Sequence, residues 1–224
     1  MIMHIISLGH DVFKENNKLA AKNKEKFRKH DVFAVNVMGA IGSGKTTLIE
    51  EAIKSLQGKY RLAAIAGDVV ADMDANRFAK LGIPTIPANT GKECHLDANI
   101  VNKSIERVNL KDIDILFMEN VGNLICPADF DLGEDMRVVV VSVSEGDDII
   151  LKHPVVFKTV NLAIVNKTDI AEAVDADADK MVSDIEYLNP DIPVLKTSKK
   201  QKETVDAWIA EIEKAYLAKV GKKA

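Results

Sequence analysis

The octapeptide Gly39-Ala40-Ile41-Gly42-Ser43-Gly44-Lys45-Thr46 is the feature that most limits what this chain can become. It fits G-x-x-x-x-G-K-[ST], directly after the apolar run Val32 to Met38 and before a helical stretch. That context predicts a strand, a tight loop and a helix that opens on an anion. The glycines let the backbone N–H groups of Ile41 to Lys45 converge without Cβ clashes, and the helix adds its positive dipole end. Lys45 then bridges β- and γ-phosphates, Thr46 ligates Mg²⁺ and Thr47 reaches the α-phosphate. The plain alternative, a glycine-rich turn with a chance Lys-Thr, does not explain the full octapeptide in this context.

The remaining sequence repeats the same alternation. Apolar runs at Leu62 to Ala66, Ile83 to Ile86, Ile113 to Met118, Val138 to Val143, Leu162 to Val165 and Val194 to Leu195 read as strands buried on both faces. Helical stretches lie between them: Lys45 to Gln57, Ala71 to Lys80, Leu96 to Val108, Ala176 to Leu188 and Thr204 to Val220. This order predicts an α/β fold, a doubly wound and mostly parallel sheet of the phosphate-loop NTPase type with helices on both faces. Val12 to Lys29 carries a thin apolar stripe and reads as part of an N-terminal helical extension, residues 1–31. No repeat or linker divides the 224 residues, so one domain, 1–224, is expected.

A phosphate loop does not choose its base. Asn166-Lys167-Thr168-Asp169 follows a strand at the carboxyl edge, where ligands bind. The Asp169 carboxylate can accept both the N1–H and the exocyclic amine of guanine. Adenine offers neither donor, and a carboxylate left unpaired would cost on the order of 1–3 kcal/mol. Asn166 is expected to tie this loop to the phosphate loop, Lys167 to lie over the ring, and Ser198 to give its backbone N–H to the guanine O6. Lys199 is expected near the base within an otherwise solvated run, Lys196, Lys199, Lys200 and Lys202. The expected ligand is therefore GTP or GDP.

Two acids stand at strand tips, Asp68 and Glu119, the latter followed by Asn120-Val121-Gly122-Asn123. They are candidates to hold Mg²⁺, with Gly122 offering its N–H to the γ-phosphate. Asp74, one helical turn beyond Asp68, is a further candidate for Mg²⁺ or the attacking water. Helix capping is the ordinary alternative for each.

Charge and composition remove other classes. With 47% apolar residues, 29% charged residues and net charge −4, the chain has no electrostatic reason to seek nucleic acid or anionic lipid. No apolar run approaches the ~20 residues of a membrane helix, and Met1 to Gly9 lacks the form of a secretory signal. A soluble, cytoplasmic protein with reduced thiols is expected.

Both cysteines lie in unusual company, in Gly91-Lys92-Glu93-Cys94-His95-Leu96-Asp97 and Ile125-Cys126-Pro127. Thiolate and imidazole suit Ni²⁺ or Zn²⁺, not Mg²⁺. Cys94, His95 and Cys126 are one ligand short of a closed tetrahedral site, and adjacent side chains tend to point apart, so a second copy of the chain is expected to complete the set. Cys126 lies seven residues beyond Glu119, so nucleotide state and metal affinity should be linked. His4, His10, His30 and His153 show no ligand spacing.

Taken together, these segments resemble the HypB hydrogenase maturation GTPases. The similarity runs from the phosphate loop to the Asn166-Lys167-Thr168-Asp169 loop, with Thr90 to Asp97 and Glu119 to Pro127 its most specific parts. The resemblance implies a GTP-dependent homodimer with Cys94, His95 and Cys126 at the interface. It also implies delivery of Ni²⁺, together with a second nickel accessory protein, to the precursor of a [NiFe]-hydrogenase large subunit. Unlike many bacterial members, the first 30 residues hold no cysteine and only three scattered histidines. Rival readings are a urease-type nickel accessory GTPase, whose Cys-Pro-His motif is not present here, a metal-independent switch GTPase, and an ATP-dependent small-molecule kinase. The arginines Arg28, Arg61, Arg77, Arg107 and Arg137 include no obvious arginine finger, so slow intrinsic hydrolysis is expected.

Overall fold

The first core strand is buried at all of its positions, which only a central strand covered on both faces can be. In the computed structural model, which describes residues 8–68, 73–91 and 93–221, it is preceded by one helix and followed by alternating helices and strands. In chain order these are α1 (Leu8–Lys29), β1 (Phe33–Met38), α2 (Lys45–Leu56), β2 (Leu62–Asp68), α3 (Met73–Ala79), β3 (Thr85–Asn89), α4 (Ala98–Ile105) and β4 (Ile115–Glu119). Then come β5 (Met136–Ser142), α5 (Ile149–Lys152), α6 (Pro154–Lys158), β6 (Leu162–Asn166), α7 (Ala178–Leu188), β7 (Val194–Thr197) and α8 (Lys202–Gly221).

The seven strands form one parallel sheet in the order β3-β2-β4-β1-β5-β6-β7. Alternate residues of each strand face opposite layers. Val35, Val37, Phe117, Val138 and Ile164 meet α2, α3 and α8 on one side, where Trp208 is fully buried and donates its Nε1–H to the Leu48 carbonyl at 3.2 Å. On the other side Ala63, Ile65, Leu116 and Met118 pack against α1 and α4, and Val139, Val141, Ala163 and Val165 against α5, α6 and α7. Each buried aliphatic side chain of this kind stabilises the fold by roughly 1.5–3 kcal/mol. β1 lies between β4 and β5, so the chain winds outward in both directions from it. The crevice at the carboxyl ends of β1 and β4 is where such a sheet binds ligands.

Several boundaries differ from the sequence expectation for physical reasons. The third strand runs over Thr85–Asn89, not Ile83 to Ile86. As an edge strand it buries only Ile86 and Ala88, so it alternates and gives no continuous apolar run. The helix expected from Leu96 starts at Ala98, because the Asp97 carboxylate caps it by accepting from Ile100 N at 2.6 Å. α5 and α6 were not anticipated; each is only a turn or so, split at His153-Pro154. Ala71, the expected start of the third helix, and His4 lie outside the described residues.

Candidate functional site

The loop between β1 and α2 and the tips of β2 and β4 enclose a cavity of about 310 Å³. Ile41, Gly42, Lys45, Thr46, Asp68, Asp74, Glu119 and Gly122 line it. The structure thus brings Lys45, Thr46, Asp68, Asp74, Glu119 and Gly122 together from four separate segments, while Thr47, expected at the α-phosphate, lines a different cavity. Thr46 Oγ1 donates to Glu119 Oε1 at 2.7 Å. Glu119 Oε2 is buried without a hydrogen-bond partner, and so is Ser43 Oγ. Buried polar atoms of a folded protein are ordinarily satisfied, and two orphaned oxygens at a phosphate loop fit a hard cation and an anion.

Electrostatics agree with this fit. Burial pushes the Glu119 carboxyl up to about 7, opposed by the Lys45 ammonium and the Thr46 hydroxyl. Burial likewise lowers the Lys45 ammonium, with Glu119 acting against it. The Lys45 Nζ donates to the carbonyls of Gly39 and Ala40, each at 3.1 Å. A buried pair of this kind is poised to be stabilised by a bound divalent cation and a polyphosphate, each supplying the charge that one member lacks.

A second cavity of about 290 Å³ is lined by Gly44, Thr47, Asn166, Lys167, Asp169, Lys199 and Lys200. Asn166 Nδ2 donates to the Ser43 carbonyl at 2.8 Å, the tie between loops that the motif predicted. Thr197 Oγ1 in turn donates to Asn166 Oδ1 at 2.9 Å and fixes the amide's orientation. Asp169 accepts from Ser198 Oγ at 2.7 Å and pairs with Lys200 Nζ at 3.0 Å, contacts that hold its carboxyl below the usual range. Ser198 is placed differently from expectation. Its backbone N–H, assigned above to the guanine O6, is taken by Thr204 Oγ1 at 3.0 Å, and Ser198 reaches the pocket through its hydroxyl.

The candidate soft ligands lie on the segment before α4 and on the loop that follows β4. Cys94 Sγ lies 3.8 Å from His95 Nδ1, so the two neighbours face the same way rather than apart. The Cys94 thiol also meets the Cys126 thiol, a contact that raises it. Burial lowers the His95 imidazole, which favours the neutral form that a metal would need. Among the described residues, no three Cys, His, Asp or Glu side chains form a common ligand set. Both cysteines are free thiols.

Three residues that the sequence did not single out connect these parts. Asn120, buried next to Glu119, accepts from Leu96 N at 2.9 Å, which pins the Cys94-His95-Leu96 turn to the tip of β4. Its Nδ2 continues to Asn36 Oδ1 at 3.2 Å. Arg77 binds both Glu50 oxygens, at 2.9 and 2.6 Å, and approaches Asp74 at 3.5 Å and Thr47 at 3.4 Å, which holds α3 to α2. Phe130 stacks on His95 with ring centroids 3.8 Å apart. Only a motif record of polar residues beside Glu119 and Cys94 could have suggested Asn120; the other two depend on long-range packing.

The model of the family "CobW/HypB/UreG, nucleotide-binding domain" matches residues 33–196. The chain is 51% identical over 214 residues to a probable hydrogenase maturation factor HypB of Methanocaldococcus jannaschii, covering 96% of this chain and 97% of that one. Identity to the hydrogenase maturation factor HypB of Escherichia coli is 40% over 203 residues, 91% of this chain and 70% of that one. Among solved structures, the HypB of Archaeoglobus fulgidus superposes with a TM-score of 0.86 at 45% identity, covering 91% of this chain and 99% of that one. The HypB of Helicobacter pylori, solved in complex with nickel, superposes with a TM-score of 0.85 at 30% identity, over 90% and 95%. No helix among the described residues is long and apolar enough to cross a membrane. With the phosphate loop, the guanine-type loop and the two cysteine-bearing segments all at the carboxyl ends of the strands, this chain belongs to the HypB hydrogenase maturation factors of the CobW/HypB/UreG nucleotide-binding family.

Proposed function

We propose that the chain is a single-domain, cytoplasmic GTPase that couples its nucleotide cycle to the holding and release of nickel during maturation of [NiFe]-hydrogenase. One observation carries this reading. The loop that leaves β4 meets the phosphate loop at its start and the second cysteine at its end. Gly122 lies so close to Ile41 that a Cβ would come within 2.3 Å of Ile41 Cγ1, and Asn123 forms an antiparallel bridge with Gly39. Three residues later, Asn123 Nδ2 donates to Cys126 Sγ at 3.3 Å. A change at the γ-phosphate therefore has a short covalent and hydrogen-bonded route to the thiols.

GTP is the substrate. Lys45 and the backbone donors of Ile41 to Thr46 hold its phosphates, Thr47 is placed for the α-phosphate, and Asp169 reads the guanine edge. Mg²⁺ held by Thr46, Glu119 and Asp68 would neutralise charge on the phosphates. Gly122 offers its N–H to the γ-phosphate, and Asp74 faces the same cavity as a group to orient the attacking water. No arginine lines this cavity among the described residues. Turnover is accordingly slow, in the intrinsic switch-GTPase range of about 10⁻⁴ to 10⁻² s⁻¹. Nickel is cargo, taken by Cys94, His95 and Cys126, with Zn²⁺ as a chemical competitor. A second copy of the chain completes the ligand set, which makes the active form a homodimer. A second nickel accessory protein and the hydrogenase large subunit precursor act before and after it.

Sedimentation with GDP or a non-hydrolysable GTP analogue, with and without Ni²⁺, tests the reading. A dimer that forms with the analogue, and a nickel stoichiometry that drops in Cys94→Ala, are the expected results. A monomer indifferent to metal in every condition would overturn the nickel reading and leave a switch GTPase.

A further inference from the structure

Two segments carry the three candidate soft ligands, and α1 is bonded just beyond each, to the first residue of α4 and to the loop that follows Cys126. Asn16 Oδ1 accepts from Ala98 N at 2.9 Å, three residues past His95, while Asn16 Nδ2 donates to the Asp131 carbonyl at 2.8 Å, five past Cys126. Two turns further along the same helix face, Asn23 donates to the Ala98 carbonyl at 2.8 Å and to the Leu132 carbonyl at 3.1 Å. Both amides are buried, and each spans the start of α4 and the loop that follows Cys126. A helix that merely covered the sheet would place apolar side chains there. The second loop also comes close to the helix backbone: a Cβ at Gly133 would lie 2.4 Å from the Ala20 carbonyl oxygen and 2.8 Å from Lys24 N.

Beside this seam sits an aromatic stack. The Phe130 ring lies on His95 with centroids 3.8 Å apart and planes 29° from parallel. Phe13 of α1 packs against Phe130 at 5.2 Å. His95 is only 8% exposed, with one ring face occupied by Phe130 and its Nδ1 toward Cys94 Sγ. Its plane is therefore set before any metal arrives. Neighbours that orient a ligating imidazole typically change metal affinity by about 10- to 100-fold when removed.

We infer that α1 is a clasp joining the two ligand-bearing loops, and that Phe130, backed by Phe13, is the positioning residue that aims the His95 imidazole at the transferred metal. The inference rests on the reading of Cys94, His95 and Cys126 as nickel ligands.

The test is titration of the full chain with Ni²⁺ in the presence of GDP, followed by thiolate-to-nickel absorption, alongside the proton NMR signal of the His95 C2 position. Phe130→Leu keeps the apolar bulk and removes the ring face. It should weaken nickel binding about 10-fold or more, retain the thiolate band, and lose the ring-current shift of the His95 signal. Phe130→Tyr should restore both, which a purely structural loss would not do. Phe13→Leu, at a 40% exposed residue whose change leaves folding intact, should move both readouts the same way by less. GDP affinity should be unchanged throughout. Wild-type nickel affinity in Phe130→Leu and Phe13→Leu, with the band lost in Cys94→Ala, would overturn the positioning role and leave the nickel reading standing. A Cys94→Ala protein that binds nickel like the wild type would overturn both.

Discussion

Asn166, at the end of β6, donates its amide to the Ser43 carbonyl of the phosphate loop at 2.8 Å, across 123 residues of sequence. This one side chain ties the loop proposed to read the base to the loop proposed to hold phosphate. Asn166→Ala leaves the buried Ser43 carbonyl and the Thr197 hydroxyl without their partner. Losses of this kind cost about 1–3 kcal/mol. Calorimetric titration with GDP should show affinity lowered about tenfold or more, with the sheet intact by circular dichroism. Unchanged affinity would mean that the two loops are held together by other contacts.

Glu119 supplies a pH dependence. Its carboxyl sits at about 7 in the fold, against 4.5 for an ordinary glutamate, because it is buried. Between those values the folded state holds a proton that the unfolded chain has released, so the Glu119 contribution to stability is fully present below pH 4.5 and is lost as pH rises through about 7. A shift of this size corresponds to about 3 kcal/mol at most. Thermal melts without nucleotide should decline across this window, and Glu119→Gln should flatten the decline. Mg²⁺ affinity should run the other way and strengthen as pH passes 7, since the cation needs the carboxylate. A melt profile that is flat from pH 5 to 8 in the wild type would remove the buried-acid argument.

The phosphate loop, the guanine-type loop and the Cys94-His95 pair stand out in the sequence because each is a contiguous word whose residue types suggest a chemistry. The parallel sheet was legible for a related reason: strands such as Val138 to Val141 are apolar on both faces and read as nothing else. What stayed hidden depends on contacts between distant segments. Asn120 looks like any polar residue after a strand until its amide is seen on Leu96 N, 24 residues away. Phe130 and Phe13 read as unremarkable apolar positions, and only the fold lays one on the other beside His95. Ser198 shows the converse limit. Its place next to Asp169 follows from strand order, but whether it acts through backbone or hydroxyl is decided by Thr204, six residues on.

Gly122 makes the contact between the β4 loop and the phosphate loop possible. A Cβ there would lie 2.3 Å from Ile41 Cγ1 and 3.1 Å from Ile41 Cα, so Gly122→Ala must push the loops apart. Overlap of this kind costs about 1–3 kcal/mol where the backbone cannot yield. The loss should fall on the state that needs the loop closed over the γ-phosphate. Binding of a GTP analogue should weaken about tenfold while GDP binding changes little, as read by titration of each nucleotide. Equal losses for both would place Gly122 in general loop packing and not in sensing the γ-phosphate.

Arg77 holds α3, and with it Asp74, against the helix that begins at the phosphate loop. Its guanidinium grips Glu50 with two bonds, at 2.9 and 2.6 Å, and reaches Asp74 at 3.5 Å. Glu50 is the more buried partner, with its side chain 15% exposed against 40% for Arg77. A fork of this geometry exceeds a surface pair, yet its exposure limits the coupling to about 1 kcal/mol. A double-mutant cycle with Arg77→Ala and Glu50→Ala in denaturant unfolding should return that coupling. Arg77→Lys, which keeps the charge but not the fork, should recover less than half of it. Hydrogen exchange should quicken in 73–79 in Arg77→Ala, and single-turnover GTP hydrolysis should slow as Asp74 loses its fixed place. Wild-type hydrolysis with a loosened α3 would show that Asp74 is not needed for orienting the water.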